Sequence, residues 1–227
     1  MFLEVKNLNK SYRTHNKNNE LIEDLLIFEN LNLSIRDEKI TTIYGPSGIG
    51  KTTFLNMLGT VDKPDSGTIA LKNIKYAKDS YSELRLKHIG YIFQFHFLLP
   101  EFTIYENLDI ILSIKKMKTK QSKDMIEDYL DRFGLTDKLL KYPYQLSGGE
   151  RQRLSVLRAV ISRPSMILAD EPTGNLDANN SALLVDYIQN ISADFNIKFI
   201  IGTHDKSFEA ISDNIYEISN YQFLKNK

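Results

Sequence analysis

The residues best suited to chemistry lie in Gly45-Pro46-Ser47-Gly48-Ile49-Gly50-Lys51-Thr52, a complete G-x-x-x-x-G-K-[ST] phosphate loop. Residues 39–44 before it read as a strand, and residues 53–58 after it read as a helix. Glycines let the backbone curl so that successive amides converge on an anion. The helix that starts there adds the positive end of its dipole. Lys51 can reach terminal phosphates, and the Thr52 hydroxyl is a magnesium ligand in such loops. A glycine-rich turn without chemistry is the bland alternative, but it does not explain a strand before and a helix after. The stretch implies a nucleoside triphosphate site, with Thr53 added to the binding residues.

Other strand-like runs end in polar residues of the same chemical kind. Residues 89–93 deliver Gln94, 166–169 deliver Asp170 and Glu171, and 197–201 lead to Thr203 and His204. Open α/β sheets bind ligands at the carboxyl ends of their strands. Asp170 sits where a carboxylate holds magnesium, and Gln94 is a second candidate for the metal environment. Glu171 can polarise a water aimed at the terminal phosphate. His204, in Gly202-Thr203-His204-Asp205, suits a hydrogen bond to the γ-phosphate rather than a simple turn.

Ser147-Gly148-Gly149-Glu150 admits two readings. The S-x-x-E spacing is that of a capping box, a structural device. The same residues put two glycine amides and a hydroxyl at a helix start, where an anion also binds. Tyr12 is an aromatic that can stack on adenine; the default for any of the 12 tyrosines is a core or surface role.

The elements that must hold these residues can be read in outline. Strands are expected over 2–8, ending near Tyr12, and over 25–35, 68–71 and the runs named above. The polar stretch 14–20 is expected to be a loop, and 63–67 a turn. A short helix is expected near 81–87, helical chain over 104–140, and helices over 150–161 and 181–191. Met125, Ile126, Tyr129, Leu130 and Phe133 form an apolar stripe at helical spacing, which is read as core. With 227 residues, the chain suffices for one sizeable core and a small subdomain.

Composition narrows the function classes. Hydrophobic residues make up 42% and charged residues 26%, as in ordinary globular proteins. Lys+Arg and Asp+Glu are both 29, so no global charge draws the chain to nucleic acid or anionic lipid. Zero cysteine excludes disulfides and thiolate metal sites. The first residues lack the pattern of a signal peptide, and no apolar run approaches the ~18 residues needed to cross a bilayer. Any membrane role is therefore expected through a partner.

Taken in order, the motifs resemble those of an ATP-binding cassette (ABC) subunit from end to end. Residues 45–52 match its Walker A loop, Gln94 its Q-loop, and 146–150 its signature. Residues 166–171 match Walker B with its glutamate, Asn175-Leu176-Asp177 the D-loop, and His204 the switch histidine. Residues 94–103, QFHFLLPEFT, closely resemble the Q-loop region of lipoprotein-releasing (Lol-type) ATPases. The signature and Walker B regions also suit macrolide-exporter and cell-division cassettes. Ile49 stands where that family usually has a small residue, and residues 13–24 and the tail after Ser219 match poorly.

The resemblance implies an α/β phosphate-loop core with a mixed, largely parallel sheet, an N-terminal antiparallel β subdomain and an inserted helical subdomain at about 95–160, all within one ATP-binding domain. It implies ATP and Mg2+ as ligands and a head-to-tail homodimer. Each ATP would lie between one Walker A loop and Ser147, Gly148 and Gly149 of the other chain, with Asp177 communicating across the dimer. It further implies two transmembrane permease subunits, no nucleic acid, and a peripheral place on the cytoplasmic face of a bacterial inner membrane. The expected function is an ATPase that powers lipoprotein release. A macrolide or peptide exporter ATPase, or a regulatory cassette that signals without moving cargo, is the alternative.

Overall fold

The computed structural model describes the whole chain except residues 17, 19, 20, 96 and 227, and the side chain of His15. Part of the expected loop at 14–20, and His96 in the Q-loop stretch, thus lie outside the described residues.

Two sheets form the scaffold. The first is antiparallel and has the order β2-β1-β4-β5. Its strands are β1 (Leu3–His15), β2 (Leu21–Ile35), β4 (Ser66–Leu71) and β5 (Ile74–Lys75). The second has the order β10-β9-β3-β8-β7-β6. It is built from β3 (Ile40–Tyr44), β6 (Ile89–Ile92), β7 (Met166–Asp170), β8 (Lys198–Thr203), β9 (Asn214–Ser219) and β10 (Gln222–Lys225). All its pairings are parallel except that of β10 with β9.

This strand order explains why distant motifs meet. β3, β8, β7 and β6 are consecutive neighbours, so their carboxyl ends share one edge. Tyr44 pairs with Thr203, Asp170 with Gly202, and Ile92 with Ala169. The chain leaving each strand therefore emerges into the same cleft.

Alternation along the parallel strands divides the core into two. On one face Met166, Leu168 and Ile200 pack with Phe54, Leu55 and Leu58 of α1 (Lys51–Leu58) and with Leu3, Val5 and Phe28 of the antiparallel sheet. On the other face Ile167, Ala169, Phe199 and Ile201 pack against helices. These are α3 (Ile104–Ile114), α4 (Ser122–Arg132), α5 (Gly148–Val160) and α6 (Ala178–Phe195). β7 is buried at all five positions, as expected for a parallel strand covered on both faces.

Helix boundaries follow local signals. Thr103 starts α3 with a capping box: its hydroxyl accepts from the Glu106 amide, and Glu106 accepts from the Thr103 amide at 2.7 Å. The stripe on α4 is core, with Ile126, Tyr129, Leu130 and Phe133 all buried. Between α2 (Tyr81–Glu83) and β6 the chain makes a π-helical turn over Leu84–His88. Gly90 in β6 lets α5 approach the sheet, because a Cβ there would lie 2.8 Å from the Ala159 carbonyl oxygen.

Some elements differ from the sequence reading. β1 runs on to His15 and β2 starts at Leu21, so the first hairpin is longer than expected. The helical region expected over 104–140 is made of two helices separated by a turn and followed by a single 3-10 turn at Thr136–Lys138. β9 and β10 follow from no sequence signal noted above. Among the described residues no helix is long and apolar enough to cross a membrane.

Candidate functional site

The phosphate loop closes between β3 and α1 in the geometry its glycines permit. Gly48 and Gly50 have φ of 82° and 115°, a region that disfavours side chains. Gly50 is also crowded, since a Cβ there would lie 2.8 Å from Ile27 and 3.0 Å from the Phe28 ring. The loop amides and the start of α1 line a cleft of about 250 Å³, whose walls also include Gln94, Glu171 and His204.

Lys51 is buried at the mouth of the loop, with 5% of its side chain exposed. Its ammonium donates to the carbonyls of Gly45 at 2.6 Å and Pro46 at 3.0 Å. It also pairs with Glu171 Oε1 at 3.1 Å. The other Glu171 oxygen accepts from the Thr203 hydroxyl at 2.9 Å and the His204 amide at 3.3 Å, and lies 3.0 Å from His204 Nδ1. Burial pushes the Glu171 carboxyl up, but hydrogen bonds from His204, Lys51 and Thr203 outweigh it and leave the group below its ordinary value. Glu171 has a φ of 43°, a left-handed backbone rare for a residue with a side chain. Its amide is held by the Gly202 carbonyl at 2.8 Å.

Asp170 behaves oppositely. Burial raises its carboxyl; the neighbouring Thr52 hydroxyl opposes this, and the Glu171 charge adds to it. Its Oδ1 is buried and has no hydrogen-bond partner among the described residues. A desolvated carboxylate oxygen left unsatisfied beside a threonine hydroxyl fits a hard divalent cation that takes its other ligands from phosphate and water. Thr52 and Asp170 thus suit Mg2+. Gln94 lines the same cleft, and its backbone carbonyl accepts from the Asn175 side-chain amide at 3.0 Å.

Ser147 and the glycines after it are not among the residues lining this cleft. Ser147 caps α5: its hydroxyl accepts from the Glu150 amide at 3.3 Å, and Glu150 accepts from the Ser147 amide at 2.7 Å. The two glycines differ. A Cβ on Gly149 would lie 2.4 Å from Asn180 Oδ1, whereas one on Gly148 meets nothing within 4 Å. Asp177 caps α6 through the Asn180 amide at 2.9 Å and also holds the Asn180 side chain at 2.8 Å. Gly149 and Asp177 therefore both border Asn180.

Tyr12 lies outside the cleft lining, and the residue is 40% exposed. Its hydroxyl donates to Asp62 at 2.7 Å, and the Lys10 ammonium stands over the ring at 4.7 Å. Thr53 does line the cleft, and its side chain is near enough to act on the Tyr12 hydroxyl. Thr203 is a residue the sequence reading noticed at its strand end without giving it a role. Its signal was a hydroxyl one residue before the histidine, and its hydroxyl fixes Glu171.

A phosphate loop after β3, a carboxylate pair after β7 and a polar cluster after β8 define a phosphate-loop nucleotide-binding domain. Residues 28–174 match the family model described as ABC transporter, and the chain belongs to that family. It is similar to the lipoprotein-releasing system ATP-binding protein LolD of Francisella tularensis, with 40% identity over 95% of this chain and 93% of that one. The LolD of Buchnera aphidicola is also 40% identical, over 96% of this chain and 94% of that one. Among solved structures, the dimeric bacterial ABC transporter cassette MJ0796 superposes with a TM-score of 0.87 at 28% identity, covering 100% of this chain and 98% of that one. The same cassette in a post-hydrolysis state bound to ADP and Pi superposes equally well, at 29% identity.

Proposed function

We propose that this chain is the ATP-hydrolysing subunit of a transporter that releases lipoproteins from a bacterial inner membrane. Identity of 40% to LolD proteins over nearly the whole chain carries the cargo class. Family membership and the cleft around Lys51 and Glu171 carry the ATPase reaction. The chain acts as one ATP-binding domain in which the segment at about 95–160 is a helical subdomain. Two copies join head to tail and serve two transmembrane subunits from the cytoplasmic face.

Each residue then has a part in hydrolysis. The amides of residues 45–53 cradle the phosphates, and the Tyr12 ring stacks at the edge on the base. Lys51, now held by Glu171 and two carbonyls, turns to the β- and γ-phosphates when ATP enters. That exchange frees the Glu171 carboxylate to orient a water and accept its proton. Thr203 keeps Glu171 in place, and His204 donates to the γ-phosphate. Thr52, Asp170 and Gln94 hold Mg2+, which neutralises charge on the phosphates when bound. Ser147, Gly148 and Gly149 of the second copy cover the ATP from the other side. Asp177, which like Gly149 borders Asn180, reports closure of one site to the other.

The test is capture from native membranes with the Glu171→Gln protein locked by ATP, followed by mass spectrometry. The reading expects paired membrane subunits with bound lipoproteins. An exporter subunit with drug or peptide cargo, or a cell-wall regulator without cargo, would overturn it.

A further inference from the structure

The Tyr12 ring is held by two residues that are not among those lining the nucleotide cleft. Lys10, also on β1, is only 7% exposed although it carries a charge. Its ammonium donates to Asp62 Oδ1 at 2.9 Å and to the Lys63 carbonyl at 2.9 Å. It also stands 4.7 Å from the centre of the Tyr12 ring. The other Asp62 oxygen accepts from the Tyr12 hydroxyl at 2.7 Å. One ion pair thus holds both the face and the hydroxyl of the ring. Asp62 in turn is placed by the phosphate-loop helix. The Val61 and Asp62 amides donate to the Asn56 carbonyl at 2.9 and 3.2 Å, in the turn that follows α1. Beside them the Ser11 amide donates to Asp65 at 2.7 Å, and the Asp65 amide donates to the Asn9 carbonyl at 2.9 Å. The stretch of β1 that carries Tyr12 is therefore tied to the helix whose start closes the phosphate loop.

The arrangement leaves one face of the ring for a ligand, because the ammonium covers the other. An apolar side chain would fill the space beside the ring at a lower desolvation cost than an ion pair. What the ion pair adds is direction. A charge-assisted bond fixes the hydroxyl end of the ring, and the cation fixes its face. A tyrosine without these tethers would be ordered only when ligand binds, at a cost in affinity.

We propose that Lys10 and Asp62 are positioning residues that hold the Tyr12 ring ready for the nucleobase, in a fixed place relative to the phosphate loop. This rests on the proposed ATPase with its Tyr12 platform and adds the pair that preorganises that platform. Neither residue touches the nucleotide. Both act through Tyr12, so their effect falls on the base-dependent part of the affinity and spares the phosphate-dependent part.

The test compares Kd for MgATP with Kd for magnesium tripolyphosphate, which carries the phosphates without a base, in equilibrium titrations of the full chain. Asp62→Ala removes the acceptor of the Tyr12 hydroxyl, Lys10→Met removes the cation, and Tyr12→Phe keeps the ring without its hydroxyl. Ordering one loosened side chain on binding weakens affinity about three- to tenfold. We expect that loss for ATP in each variant, with tripolyphosphate affinity within about twofold of wild type. Tyr12→Phe combined with Asp62→Ala should bind ATP no more weakly than Asp62→Ala alone, since both remove the same contact. Wild-type ATP affinity in Tyr12→Phe and Asp62→Ala overturns the proposal. So do additive losses in the double variant. Equal losses for ATP and tripolyphosphate overturn it too, because the pair would then only support α1. Tyr12 is on the surface, so Tyr12→Phe decides the matter if the Asp62 variant fails to fold. If Tyr12→Ala binds ATP as tightly as wild type, the platform fails and this inference with it, while the ATPase reading stands. A wild-type chain that binds neither ligand refutes the ATPase reading itself.

Discussion

Replacing Glu171 by Gln separates two things that the carboxylate does. In the nucleotide-free chain it neutralises Lys51 across 3.1 Å, with only 5% and 12% of the two side chains exposed. At an effective dielectric of about 20 that contact is worth roughly 5 kcal/mol of gross Coulomb energy. The net value is far smaller, since both groups are desolvated and Lys51 keeps the Gly45 and Pro46 carbonyls. ATP must displace this contact to engage Lys51, so removing it lowers the cost of binding. A neutral amide also ends repulsion between Glu171 and the triphosphate. A gain of about 1.4 kcal/mol, or tenfold tighter ATP binding, is the expected scale. The reaction suffers instead. Gln still accepts from Thr203 and the His204 amide but cannot take a proton, and loss of a general base costs about 10²–10⁴-fold in turnover. Binding of a fluorescent ATP analogue and single-turnover hydrolysis read the two effects apart. Hydrolysis within about tenfold of wild type would remove Glu171 from the reaction. Weaker ATP binding would show that the Lys51 contact does not compete with nucleotide.

Other consequences are equally checkable. Lys51→Ala should weaken ATP binding itself by about 100-fold, the scale of a charge-assisted contact of roughly 2–3 kcal/mol; equilibrium titration measures it, and unchanged affinity would contradict the loop's role. Gly149→Ala should displace the Asn180 side chain, whose Oδ1 would lie 2.4 Å from the new Cβ, and cost about 1 kcal/mol in denaturant melts through its lost bond to Asp177. Gly148→Ala, with open space around it, should leave stability nearly unchanged yet lower ATPase activity if the second copy's nucleotide lies there. The Glu171 carboxyl sits below its ordinary 4.5, so it stabilises the fold above that pH and loses this as pH falls through its folded value. Acid melts of Glu171→Gln should therefore be flatter than wild type below about pH 4.5.

How much of this could be read from the chain depends on where each signal resides. The phosphate loop, Asp170, Glu171, Gln94 and His204 were legible because each follows a short apolar run that must be a parallel strand. Parallel order then forces their ends together, as the Tyr44–Thr203 and Asp170–Gly202 pairs record. The capping box at Ser147 was legible for a different reason, since its bonds are local. What escaped was non-local. The β9 strand, Asn214–Ser219, owes its place to pairing with β3 across the sheet, while its own sequence is only weakly patterned. The role of Thr203 required knowing that Glu171 turns back toward it in a left-handed backbone.

The most direct test of the account is ATP-driven release of an acylated lipoprotein from nanodiscs that contain this chain with its membrane subunits. Release should require ATP, hydrolysis should quicken when lipoprotein is present, and both should be lost with Glu171→Gln. Steady ATP hydrolysis that neither responds to lipoprotein nor releases it would contradict the proposed function.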